Sequence, residues 1–301
     1  MSTPLKDGSD GTAAASIGAG RKVRATWPLY LLFLAVAGMV GATISVGLLQ
    51  DSLVALGIPD PGRVTTFGLP FFRAVGWMLA ALSVGSFMFA AFYISPRVPG
   101  NDNDQLVRAQ LSVDGHLASR TGAVAALCFG LIGLLMIPLV LSDVSGTPLA
   151  QTLNPTSWIT AVNQVATAKA WAAVAAIALV VGIGGLVARS WLSQTLLVLG
   201  AILMIVPLGM EGHSASGGAH DYGTNSYLWH LVFMMVWVGG LMALIAHGRR
   251  LGPDLELGLR RYSTVALFAI VVMGVSGLIN AAIRIEWSDW FGTTYGAILL
   301  A

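Results

Sequence analysis

The side chains best able to do chemistry in this 301-residue chain crowd into one stretch, from Met210 to Trp237. Met210, Glu211, His213, His220 and Asp221 fall within the segment 210–221, and His230, Met234 and Trp237 follow at i, i+4 and i+7, one face of a helix. Thioether and imidazole together suit Cu(I), while imidazole alone suits Cu(II) or Zn(II). Cys128 is the sole cysteine, so neither a CxxC motif nor an intramolecular disulfide is available, and copper is the preferred ion. Glu211 and Asn280 lie near the same membrane surface, where either can hydrogen-bond a ligating imidazole, and Asp221 adds negative charge beside it. A pair of facing histidines also suits haem iron, with His213 and His230 at one end and His116 and His247 at the other. His247 follows His230 by 17 residues, roughly 25 Å of helix, so the far pair cannot share the near pair's ion.

The elements that must position these groups are membrane helices. Only 10% of the residues are charged, against roughly 25% in an ordinary soluble domain, 56% are hydrophobic, and the mean hydropathy is +0.78. Crossing a hydrocarbon core about 30 Å thick takes roughly 20 residues of helix. Apolar runs of that length predict seven spans: Trp27 to Leu49, Pro70 to Tyr93, Thr121 to Leu141, Thr167 to Val187, Trp191 to Met210, Ser226 to Ala246 and Tyr262 to Ile283. The fold class is therefore all-α, a polytopic membrane helix bundle. The Gly/Ser/Ala-rich residues 1–26 read as a disordered tail, and the first span reads as uncleaved, since no small-x-small site closes it. Residues 27–301 form one transmembrane domain. Tyr295 to Ala301 resembles the opening of an eighth span cut short, so the chain is expected to be part of a longer one.

Local signals refine the picture. The link Ala188-Arg189-Ser190 is so short that spans four and five must be antiparallel neighbours, and if spans five and six pack likewise, His213 comes level with His230. Pro207 deprives the carbonyl of Leu203 of its helical donor, which predicts a break near the end of span five. NPTSW at 154–158 predicts a short interfacial helix with Trp158 at headgroup depth. Gly38 and Gly41, Gly130 and Gly133, and Gly274 and Gly277 recur at helical spacing and predict close packing. Arg73 and Lys169 sit near a surface and should snorkel to it.

Lys and Arg set the orientation. With the N-terminus inside, the cytoplasmic side holds twelve of them: Lys6, Arg21, Lys22, Arg24, Arg97, Arg108, Arg120, Arg189, Arg249, Arg250, Arg260 and Arg261. Four lie on the other side: Arg63, Arg73, Lys169 and Arg284. Seven acids fall on each side, which makes the outer face net negative where the three histidines gather and so attractive to a cation. Nucleic-acid binding is excluded by the lack of a clustered basic, water-exposed face. No nucleotide loop, HExxH helix or serine-histidine triad is present, so the chain is not expected to be an enzyme.

The stretch GHSASGGAHDYGTNSYLWHLVFMMVWVGGLMAL, running through His213, His220 and His230, resembles the hallmark of the copper-resistance protein D family of bacterial inner-membrane proteins. RRYSTVALFAIVVMGVSGLINA and TTYGAILLA resemble that family's following helices, and FGLPFFRAVGWMLAALSVGSFMFAAF is similar to its actinobacterial branch. The resemblance implies copper handling at the cytoplasmic membrane, with a periplasmic copper-binding partner, and the supply of copper-dependent enzymes. It implies His213 and His230 as ligands, with His220 less firmly so, and Trp237, Gly239 and Gly240 as packing residues. In the actinobacterial branch such a half is often fused to a cytochrome c oxidase assembly half, which implies an oxidase as the alternative recipient of the metal. The readings are then a copper transporter capturing the ion at the outer cluster and passing it by Met234 and Met204, a membrane copper chaperone for cytochrome c oxidase, and a haem-bearing electron carrier.

The topology has a direct check. A green fluorescent protein fused after Asp104 should fluoresce and alkaline phosphatase fused after Ser216 should be active; the reverse pattern would invert the bundle.

Overall fold

The computed structural model describes residues 27–55, 60–96, 109–211 and 220–284. The tail 1–26, His213 with the rest of 212–219, and the run 295–301 lie outside the described residues. Among those described there are ten α-helices and no strand: α1 Trp27–Ala55, α2 Arg63–Met88, α3 Val113–Ser145, α4 Leu149–Thr152, α5 Pro155–Gln164, α6 Ala166–Val187, α7 Trp191–Leu203, α8 Val206–Met210, α9 His220–His247 and α10 Leu255–Arg284. Seven spans are long and apolar enough to cross a membrane, α7 and α8 together making the fifth.

Most spans extend beyond their apolar runs. α3 begins at Val113, not Thr121, because Ser112 caps it, its Oγ accepting from the Gly115 amide at 3.1 Å, with Asp114 in the first turn. It ends at Gly146, whose φ of 63° closes the helix in the left-handed region that glycine adopts without penalty. α9 starts at His220, six residues before the predicted Ser226, and α10 at Leu255, with Glu256 accepting from Arg260 at 2.7 Å one turn on. The span breaks as Pro207 requires: α7 stops at Leu203, Met204 and Ile205 form the joint, and α8 resumes at Val206. α5 matches the predicted interfacial helix, capped by Asn154, with Trp158 donating its indole N–H to the Thr152 carbonyl at 2.9 Å.

α2 is the centre of the bundle and the most enclosed span. It packs against α1, α3 and α9, and touches α7. Small residues make this possible: Gly76, Ala80, Ala81, Ser83, Gly85 and Ser86 let neighbouring backbones approach. On one side α3 and α6 close over it, and on the other α9 does, with α10 beyond α9. α6 and α7 touch, as their short link demands. The fifth and sixth spans meet chiefly through α8, where Gly209 faces Leu228, while the rest of α9 lies along α2 and α10. The small residues of α2 win α9 because they allow a closer approach than the leucine-rich α7. Among the glycine pairs, Gly41 faces Ala74, and Gly130 and Gly133 face α6, whereas Gly274 has open space beside it. Arg73 and Lys169 are exposed.

At the end that the arginine distribution assigns to the inside, α2 widens into a π-helical turn, Phe89–Tyr93. The carbonyls there are freed for neighbours: Trp191 donates its indole N–H to the Ala91 carbonyl at 2.8 Å, and Arg261 donates to that of Phe92 at 3.4 Å.

The α2–α9 contact yields a sharp expectation. A Cβ on Gly239 would fall on the Ala81 carbonyl, a backbone group that cannot step aside, so Gly239→Ala should cost about 1–3 kcal/mol. Gly274→Ala, with nothing in its way, should be neutral or slightly stabilising. Thermal unfolding in detergent compares the two, and equal melting temperatures would count against this packing.

Candidate functional site

α9 carries most of the candidate residues and divides its surface between two neighbours. Gly239 faces α2, while the His230 ring and the Trp237 carbonyl meet α10. Since α9 and α10 run antiparallel, polar groups pair off along the seam. Ser226 donates its Oγ–H to the Ser276 carbonyl at 2.6 Å, and both serines are buried. One turn deeper, the His230 Nδ1 is 3.0 Å from the Met273 carbonyl, which also accepts from Ser276 Oγ at 3.0 Å. Deeper still, Tyr262 donates to the Trp237 carbonyl at 3.2 Å.

The His230 bond has a chemical consequence. A carbonyl only accepts, so Nδ1 carries the proton and, in the neutral ring, Nε2 keeps its lone pair. That is the tautomer of a histidine ligand whose other nitrogen is anchored by a backbone oxygen. The ring is further confined by Gly277, where an added Cβ would come within 3.3 Å of both Cε1 and Nδ1. His230 lies five residues into the membrane-length part of α9, about 8 Å below its start, at the end that the arginine distribution assigns to the outside.

Met234, one turn on from His230, is partly buried against the core. Met210, at the end of α8, is 60% exposed, and Glu211 follows in a turn, partly exposed. Asn280 lies on α10 one turn outward of Ser276, partly buried. His220 and Asp221 open α9, and ten residues of continuous helix, about 15 Å, separate His220 from His230. Gly240 is a packing residue, its missing Cβ lying 2.7 Å from the Tyr93 hydroxyl and 2.8 Å from the Tyr262 ring. Among the described residues no three His, Cys, Asp or Glu side chains converge as a metal cage.

At the inner end His247 is buried with its ring 5.3 Å from that of Phe89, and its Nε2 has no hydrogen-bond partner among the described residues. His116 instead lines a separate cavity with Arg120 and Arg250. Sequence reasoning missed Ser226, Ser276 and the Met273 carbonyl. The serine one turn ahead of His230 was a usable signal, whereas a backbone acceptor leaves none.

Such a bundle, with seven membrane-length helices and a backbone-anchored histidine inside one of them, defines a multi-pass helical membrane protein. Comparison with known families narrows the class. The model of the copper resistance protein D-like N-terminal domain matches residues 64–221, more than half of the chain, and that of copper resistance protein D matches residues 256–301. The chain belongs to the copper resistance protein D family. It is similar to a Mycobacterium leprae (strain TN) protein described as uncharacterized protein ML1998, 24% identical over 200 residues, which cover 65% of this chain and 29% of the relative. The match thus spans under a third of that relative's length. No solved structure matches.

The tautomer is measurable. Nitrogen-15 NMR of histidine-labelled protein at neutral pH should show a His230 signal, identified by its loss in His230→Gln, with Nδ1 protonated and Nε2 bare; an Nε2–H signal would remove the basis for ligation.

Proposed function

We propose that the protein takes up copper at its outer end, with His230 as a ligand through Nε2, and passes it through the bundle. The observation that carries this reading is the His230 Nδ1 bond to the Met273 carbonyl, which presents a bare imidazole nitrogen inside a span of a copper-handling family. The remaining ligands are His213, and the thioethers Met234 and Met210, which suit Cu(I). Glu211, Asp221 and Asn280 supply charge and hydrogen bonds around them. His220, set about 15 Å along α9, acts as an earlier capture point rather than a member of the same coordination sphere.

Passage through the bundle, rather than capture alone, is supported by what lies deeper. Met204 is fully buried at the joint between α7 and α8, where the helix ladder is already open. Towards the inner end Ser83, Ser86, Gln194 and His247 are buried with polar side-chain atoms that have no hydrogen-bond partner among the described residues. Polar groups left unpaired in a lipid-embedded core are costly, and such residues mark solute and ion routes. The protein is then a transporter and not an enzyme, seated in the bacterial cytoplasmic membrane with its N-terminus inside. An extracytoplasmic copper-binding protein would deliver the ion, and an oxidase could receive it.

Proteoliposome uptake with copper analysis of the purified protein tests this. His213→Ala with His230→Ala should lower bound copper and uptake together by about 10- to 100-fold. Gln194→Leu should lower uptake while leaving bound copper unchanged. Copper content untouched by the double change would defeat the site; unimpaired uptake alongside lost oxidase metallation would make the protein a chaperone instead.

A further inference from the structure

The inner end of the bundle holds a cavity of about 490 Å³ that takes no part in the copper reading. Gln110, Val113, His116, Leu117 and Arg120, from the start of α3 and the residues before it, line one side, and Arg250, in the short 3₁₀ turn after α9, lines the other. Among the described residues no carboxylate lines it. Among the described residues the one ion pair is Arg260 with Glu256, so neither Arg120 nor Arg250 has a carboxylate partner there. At its rim the Leu111 amide donates to the Arg189 carbonyl at 3.1 Å, which ties the chain ahead of α3 to the link between α6 and α7. Two arginines, an imidazole and a primary amide around one volume make a site for an anion with several oxygens, and a phosphate fits that description.

The depth of the cavity says where such a phosphate would come from. α3 has 33 residues, about 50 Å of helix, against a hydrocarbon core of about 30 Å. Its first two turns, from Val113 to Arg120, therefore stand at headgroup level. Val113, Arg120, Val124 and Leu131 are all exposed and recur at i, i+7, i+11 and i+18, a single stripe down the outside of α3. The stripe leads from the cavity straight onto the lipid-facing surface. A free phosphate would engage the arginines and leave the stripe unused, whereas a phospholipid would use both.

We propose that this cavity seats the phosphate of an anionic phospholipid, held by Arg120 and Arg250 with Gln110 and His116 as further donors, while its acyl chains lie along Val124 and Leu131. The bound headgroup joins α3 to the end of α9, two elements that otherwise meet only sparingly. It thereby clamps the inner ends of the two sides of the bundle, without touching the outer histidines.

Native mass spectrometry of the full chain in neutral detergent, titrated with dioleoylphosphatidylglycerol, tests the assignment. Phosphatidylglycerol should bind at least about tenfold more tightly than phosphatidylcholine, and Arg120→Gln with Arg250→Gln should weaken it by about 10- to 30-fold. Arg249→Gln, a neighbouring exposed arginine outside the cavity, should leave the affinity unchanged. Because Arg120 and Arg250 are exposed, the double variant should keep the wild-type melting temperature in lipid-free detergent. For the wild type alone, raising the salt from about 50 to about 500 mM should weaken phosphatidylglycerol binding several-fold, a readout that does not depend on the variant folding. Equal binding of the two lipids, an unaffected double variant or salt-independent binding would each overturn the proposal. So would displacement of the lipid by an equimolar amount of inorganic phosphate, which would make the site one for a soluble anion.

Discussion

The close approach of α2 and α9 governs the arrangement. In lipid no hydrophobic gain separates one apolar neighbour from another, so helices choose partners by how near their backbones can come and by which polar groups they can pair. Gly85 and Gly239 leave room for nothing but backbone between the two helices, the missing Cβ of Gly239 pointing at the Ala81 carbonyl. With α9 held there on one face, its opposite face is turned to α10, and His230 arrives beside the Met273 carbonyl. The chemistry of the histidine thus depends on two glycines several turns away that touch no candidate ligand.

The same economy explains the polar seam. Ser226, His230 and Tyr262 each send a donor to a carbonyl of the neighbouring helix, which satisfies side chains that would be expensive to leave bare in hydrocarbon. Directing those donors at backbone rather than at one another fixes ring orientation without introducing further titratable groups. Towards the inner end paired and unpaired groups mix: Ser119 donates to the Gly185 carbonyl at 3.1 Å, whereas Gln194, Ser83 and Ser86 are buried with side-chain atoms that have no partner among the described residues. Within one core, satisfied polar groups hold position, and unsatisfied ones border the proposed route.

Much of this was legible in the sequence. Seven spans follow from apolar length alone, the joint at Met204 and Ile205 from Pro207, and the interfacial helix from Asn154-Pro155. Span ends were less legible, since capping by Ser112 carries α3 through polar turns that hydropathy discards, and α9 likewise runs back to His220. Neighbour choice was hardest. A short link declares α6 and α7 adjacent, but that α9 prefers α2 to α7 rests on glycines matching across separate helices, a pairing no single segment reveals. For the site, the type and spacing of His230 and Met234 drew attention correctly to α9, whereas the Met273 carbonyl that orients the ring has no residue signature.

α9 also bears on how freely the protein can vary. The two matched family segments end at residue 221 and begin at residue 256, so nearly all of the helix falls between them. Even so, it answers to two clients, its glycine face to α2 and its polar face to α10. Latitude for neutral drift is left to the positions that neither neighbour claims, such as the exposed Trp229, Leu241 and Ile245. A helix hemmed in on two sides tolerates change only where neither neighbour touches it.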